Sequence, residues 1–405
     1  METAPARSDF SVNSRGLLGC ILLVCCLLTA GCWDRRELQE RGFVIAVAID
    51  LAEKGKTGGS ELETFTQGVG TKPLRLSVQV LKLTPAGRAA ESKSEGKTFV
   101  VSNTGQFIHE MIRDMLGQTS KGLYFEHIQA ILISDAVVKE YSLRQIIDFW
   151  RRDAEMRWRT RLYIVPGEAR KVLDFQPPTG ETGGMFLSNI SRHYARDPHI
   201  GSVRTDLGFT SQTLDNGGDV LLPRLEYKDK QVKFNGLAVF RQDKFIGYWD
   251  EYTIKGVRLA RGNIKSGIIS FSCPEHPGHG VSFEIFRYNT ILTPHVEGDN
   301  IYFTLSITIR GNISEVTCQQ FHNSYDTAFM EKAEELVAEE IKRNISHSLN
   351  ISRREGIDTM YFKKYLKAYE PRTWARIQDQ WDDIFPTIPL YVDVRVSIQN
   401  IGEHN

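Results

Sequence analysis

The stretch "LLGCILLVCCLLTA", Leu17 to Ala30, carries no charge; it stops at Ala30-Gly31-Cys32, and "WDRRELQERG" then turns at once to charge. As a helix the run would span roughly 20 Å at about 1.5 Å per residue, against a hydrocarbon core about 30 Å thick. It is short for a permanent span and suits the apolar region of a secretory signal peptide, with Arg7 and Arg15 as its positive start. The small residues before Cys32 resemble a bacterial lipobox, in which the cysteine thiol receives a diacylglyceryl group and the chain is cut just before it. Thr29 stands three residues before the cysteine, where Leu is usual. The competing readings are an ordinary signal peptide with Cys32 buried or bridged, and a short uncleaved anchor. One acyl chain holds a protein at a bilayer only marginally, whereas two anchor it stably.

Charge and cysteine content narrow the function classes. Lys+Arg and Asp+Glu both number 50, and removal of residues 1–31 takes two of each sign, so the mature chain stays neutral. Neutrality gives no electrostatic case for nucleic acid. Cys20, Cys25 and Cys26 fall in the leader, and Cys273 and Cys318 are the two cysteines of the body. That is no disulfide framework, so stability has to come from packed cores. Whether those two pair is open at this level.

Periodicity organises the body into an N-terminal α+β domain (32–200), a connector or boundary region (201–232) and a C-terminal α+β domain (233–405), with a further split conceivable near 310. "GFVIAVAID" (Gly42–Asp50) reads as a buried strand, and "LRLSVQVLKL" (Leu74–Leu83) alternates as a strand buried on one face. Phe107, Ile108, Met111, Met115 and Leu116 stand at helical spacing. Strands "EHIQAILIS" and "RTRLYIV" then alternate with a helix in "SLRQIIDFWRRD". After the Gly/Ser/Asp-rich stretch from Pro198 to Gly218, a β-rich half follows, read as an antiparallel meander. Its longest helix has the stripe Phe329, Ala333, Leu336, Val337, Ile341, Ile345 and Leu349, and the closing strand is "PLYVDVRVSIQN". The fold class is therefore α+β, with mixed or antiparallel sheets and packed helices.

No constellation specifies catalysis. Gly55-Lys56-Thr57 and Gly96-Lys97-Thr98 end like phosphate loops, but Asp50 and Glu91 occupy the positions where another glycine is required. Cys273, His276 and His279, with Cys318 and His322, are zinc-type ligands at a spacing that matches no closed site. We therefore expect no metal, no cofactor and no catalytic residue. The tryptophans are read as core residues, except Trp33, a candidate for the membrane interface beside the lipid.

Three stretches carry a resemblance: "GCWDRRELQERGFVIAVAID", "FNGLAVFRQDKFIGYWD" (Phe234–Asp250) and "WARIQDQWDDIFPTIPLYVDVRVSIQNIG" (Trp374–Gly402). Together they resemble the Ger(x)C-type spore germination lipoproteins. The resemblance implies a non-enzymatic C subunit of a germinant receptor, beside a multi-pass A subunit and a transporter-like B subunit, on the outer side of the inner spore membrane. It carries one functional residue to this chain, the lipidated Cys32. The alternative is an extracytoplasmic solute-binding lipoprotein, which would be expected to have two similar α/β lobes and a deep cleft.

Overall fold

The computed structural model describes residues 40–52, 72–82, 97–192, 205–262, 264–274, 276, 278–317 and 327–401. The first part of the chain forms β1 (Arg41–Leu51), β2 (Leu74–Leu81), β3 (Thr98–Gly105), α1 (Ile108–Asp114), β4 (Gly122–Tyr124) and β5 (Ala130–Ser134). There follow α2 (Asp135–Glu140), α3 (Leu143–Arg152), β6 (Arg161–Val165), α4 (Arg170–Leu173), α5 (Gly183–Ile190) and α6 (Leu207–Asp215), then β7 (Val220–Lys228), β8 (Gln231–Arg241) and β9 (Lys244–Trp249). These strands make one sheet in the order β3-β2-β1-β5-β6-β7-β8-β9, with β4 paired to β1. β1, β5, β6 and β7 are parallel neighbours, flanked by antiparallel pairs on both sides.

Both faces of this sheet are covered, which explains the unbroken apolar run of β1: every residue from Val44 to Ile49 is buried. One face meets Met111, Val137, Ile146, Ile147, Trp150 and Leu214 from the helices. The other, built from small residues such as Ala46, Ala48 and Ala130, meets Val172, Leu173 and Leu187. At Gly184 in α5 an added Cβ would lie 2.8 Å from the Ile45 backbone oxygen, so this helix seats against the sheet only without a side chain there.

β2 departs from its alternating pattern, because Ser77 and Gln79 are buried as well as Leu76, Val78 and Val80. The polar pair is satisfied internally. Gln79 Nε2 donates to the Leu173 carbonyl at 2.6 Å, and the Ser77 and Ser102 hydroxyls lie 2.8 Å apart. The stripe assigned to the first helix is narrower than its spacing predicts, with Phe107 and Leu116 about half exposed. Within the stretch read as connector, Leu207–Asp215 is helical, and the Asp206 carboxylate accepts from Phe209 N at 2.8 Å to cap it.

The remainder forms α7 (Glu251–Arg261), β10 (Gly267–Ser272), β11 (Gly280–Glu297), β12 (Asn300–Val316), α8 (Thr327–Glu355), α9 (Phe362–Tyr369), α10 (Pro371–Ile377), α11 (Trp381–Ile384) and β13 (Leu390–Ile401). The second sheet runs β10-β11-β12-β13. Its first three strands are the expected antiparallel meander, but β13 adds to β12 in parallel, after the helices. α8, 29 residues long, lays its stripe on the inner face of this sheet, where Phe303, Leu305, Ile307 and Ile309 are buried. The other face of the sheet stays open.

α7 carries no clear helical period in its sequence. Asp250 caps it through Thr253 N at 2.8 Å, and Gly262, in the left-handed region at φ 74°, ends it. It is buried along its length from Thr253 to Ala260 because it is sandwiched: Ile254 and Val257 pack on Leu237, Val239 and Trp249 of the first sheet. Its other side meets α8 at Gly256, where an added Cβ would collide with the Asn344 carbonyl and the Ser348 hydroxyl.

Candidate functional site: a polar joint between the two sheets

A part-buried polar cluster lies where the ends of β7, β8, β9 and α7 meet the end of α8. Asp219, just ahead of β7, accepts from Gln242 N at 2.9 Å with one oxygen and from Asp358 N at 3.0 Å with the other. Asp358 in turn accepts from two first-turn amides of α9, Phe362 N at 2.9 Å and Lys363 N at 2.6 Å. Glu355 receives the Trp249 indole N–H at 2.7 Å, while its carbonyl accepts from the Arg241 guanidinium. Arg261 donates to the Thr359 carbonyl at 2.5 Å and lies 3.9 Å from the centre of the Tyr361 ring. Tyr361 sits at φ 68°, a left-handed conformation unusual for a bulky residue, and so presents its ring to that guanidinium.

Burial sets the charge states here. It pushes the Asp358 carboxyl up to about 6 and raises Asp219 in the same direction; the amide N–H groups and the cations Arg261, Lys363 and Arg241 pull back. Burial also lowers Arg261. A cavity of about 30 Å³ lies between α6, α7 and β7, lined in part by Asp219, Arg258, Arg261 and Tyr361. That is room for about one water molecule and not for an organic ligand. The cluster is a hydrogen-bonded fastening between two layers.

A second buried carboxylate closes the first sheet. Asp50 ends β1, where doubly wound sheets bind ligands at the carboxyl ends of parallel strands. Here its two oxygens accept from Ala169 N at 2.7 Å and Arg170 N at 3.0 Å, pinning the β6–α4 turn. Gly167 N donates to Asp135 at 3.0 Å in the same turn. Burial raises Asp50 to about 6, with Glu168 adding to the rise and the backbone amides and Arg75 opposing it. The chain itself thus fills that position.

Cys32 and Trp33 lie outside the described residues, as do Gly55-Lys56-Thr57, Cys318 and His322. Lys97 donates to the Gly180 carbonyl, and Thr98 opens β3 as a strand, not as a phosphate loop. Cys273 is buried; the rings of His276 and His279 are 6.4 Å apart, and His279 Nδ1 lies 3.0 Å from the Thr317 carbonyl oxygen. Among the described residues no group of three or more His, Cys, Asp or Glu is arranged to hold a metal. Trp150, Trp249, Trp374 and Trp381 are core residues, whereas Trp158 is 58% exposed. No helix among the described residues is long and apolar enough to cross a membrane.

Comparison with known proteins assigns this architecture. Residues 34–227 match the family described as the spore germination protein N-terminal domain, and residues 235–402 match "Spore germination B3/GerAC like, C-terminal". The chain is 24% identical to spore germination protein YndF of Bacillus subtilis (strain 168) over 95% of each chain. It is 20% identical to spore germination protein B3 of the same organism, over 93% of this chain and 95% of that one. A crystal structure of the GerBC protein superposes with a TM-score of 0.57 and 18% identity, covering 91% of this chain and all of the other. The chain belongs to the Ger(x)C family of spore germination proteins, and its α+β fold is that of the GerBC structure.

Proposed function

We propose that the chain is a lipid-tethered, non-enzymatic C subunit of a nutrient germinant receptor. Cys32 carries the acyl chains and holds the body on the outer face of the inner spore membrane. The body works through contacts with membrane-embedded A and B subunits, and no cofactor takes part. The observation that carries this reading is the junction at Cys32: a short apolar leader ends there, and an ordered strand begins nine residues later at Arg41. The germination names of its relatives and the purely structural character of both buried carboxylate clusters support it. The solute-binding alternative loses ground on two observations. The two sheets differ in strand number and topology, and both oxygens of Asp50 are taken up by backbone amides of the chain.

Replacing Cys32→Ala in spores is expected to abolish membrane retention or block maturation, with a corresponding loss of nutrient-triggered germination. The check is fractionation of spore membranes with mass spectrometry of the mature terminus. Wild-type-level retention of the variant would refute the tether.

A further inference from the structure

The end of the first sheet that receives the chain from Cys32 has an unusual surface. A groove of about 260 Å³ opens beside Gly42 at the start of β1. Its apolar lining comes from Leu81, Phe99 and Leu123, and Phe99 is 41% exposed. Its charged lining residues are Lys82 and Lys121, both cationic. Hydroxyl groups of Thr119 and Ser120 complete the rim. Arg41, one residue before Gly42, lies 4.2 Å from the centre of the Tyr124 ring.

We propose that this groove is a lipid-docking surface that seats the body on anionic phospholipid headgroups. The proposal rests on the tether at Cys32. Eight residues lie between Cys32 and Arg41, so even a fully extended link reaches only about 30 Å. Of all the surfaces described, the mouth of β1 is therefore the one tied nearest to the bilayer. An apolar floor rimmed by lysines matches the headgroup boundary, where apolar side chains enter the acyl layer and cations meet phosphate. The tether supplies proximity and the groove supplies orientation, so that the second sheet and the joint face the same way on every copy.

The test uses the full lipidated protein in phosphatidylcholine vesicles with and without phosphatidylglycerol, with brominated acyl chains as quenchers. Phe99→Trp serves as the probe, and the wild type sets the background of its own tryptophans. We expect added quenching of the probe in phosphatidylglycerol vesicles, lost at high salt. Lys82→Gln and Lys121→Gln should each lower the docked-to-undocked ratio by about fivefold. If the protein sediments with vesicles but the probe is quenched no more than background, the docking surface is overturned and the tether stands. If the probe is instead shielded from the brominated chains once the integral subunits are reconstituted alongside, the groove belongs to a protein partner and the lipid assignment is wrong. If the protein does not sediment with vesicles at all, the tether fails and takes this proposal with it.

Discussion

Asp50 holds two backbone amides that no other group of its surroundings accepts from, and it does so from a site only 4% exposed. A carboxyl raised to about 6 binds its proton more tightly in the folded chain than in the unfolded one, where about 3.9 is normal. Its stabilising contribution is thus fully present below about pH 4 and is lost as pH rises through about 6. Urea midpoints of the wild type are expected to fall over that interval, and Asp50→Asn should flatten the fall by about one proton's worth of slope. An unchanged slope in the variant would assign the titration elsewhere, with Asp219 and Asp358 next in line. At the joint, Trp249→Phe removes the indole N–H from Glu355 while keeping most of the ring volume. It should destabilise by about 1–3 kcal/mol, since the carboxylate loses its donor in a half-buried site. Glu355→Gln retains an acceptor and should be milder in the same denaturation assay.

The elements that could be read from sequence are those whose period survives local composition. β1 and α8 carry patterns set by burial alone, and both stand close to where the residues put them. α7 escaped because Thr253, Ile254 and Val257 favour strands and Gly256 weakens a helix; only the Asp250 cap and Gly262 hinted at it. What makes it helical is the tertiary sandwich, a contact no local window contains. The same limit hid the joint: Asp219 and Asp358 are 139 residues apart in sequence, and each looks like a surface turn residue until they meet. The expectation at Cys32, by contrast, uses only local rules, namely apolar length and the small residues before the cysteine. Gly256→Ala tests the α7–α8 contact directly. The new methyl must displace the Asn344 backbone or the Ser348 side chain, so a loss of about 1–3 kcal/mol is expected. Thermal unfolding measures it; an unshifted midpoint would mean that the helices separate freely.

Across the whole molecule, the interleaving of layers makes the two sheets one cooperative body. α7 contributes apolar side chains to the first sheet and backbone contact to α8, while Arg241 and Trp249 reach across to Glu355. Calorimetry is expected to record a single transition in the wild type. Combining Arg241→Gln with Trp249→Phe should split it into two, since both side chains reach from the first sheet to Glu355 and the phenyl ring keeps most of the apolar packing of the indole. A double variant that still melts as one unit would mean that apolar contact at α7 suffices. The parallel addition of β13 has a further consequence during assembly. Val316 and Leu390 are 74 residues apart, so the local hairpin of β11 and β12 is expected to form before its last neighbour arrives. Until then one flank of β12 presents bare amide and carbonyl groups to whatever strand drifts past. A synthetic peptide copying residues 390–401, added while the denatured chain renatures, should occupy that vacant edge and slow recovery of the native form, whereas the same peptide given afterwards should do nothing.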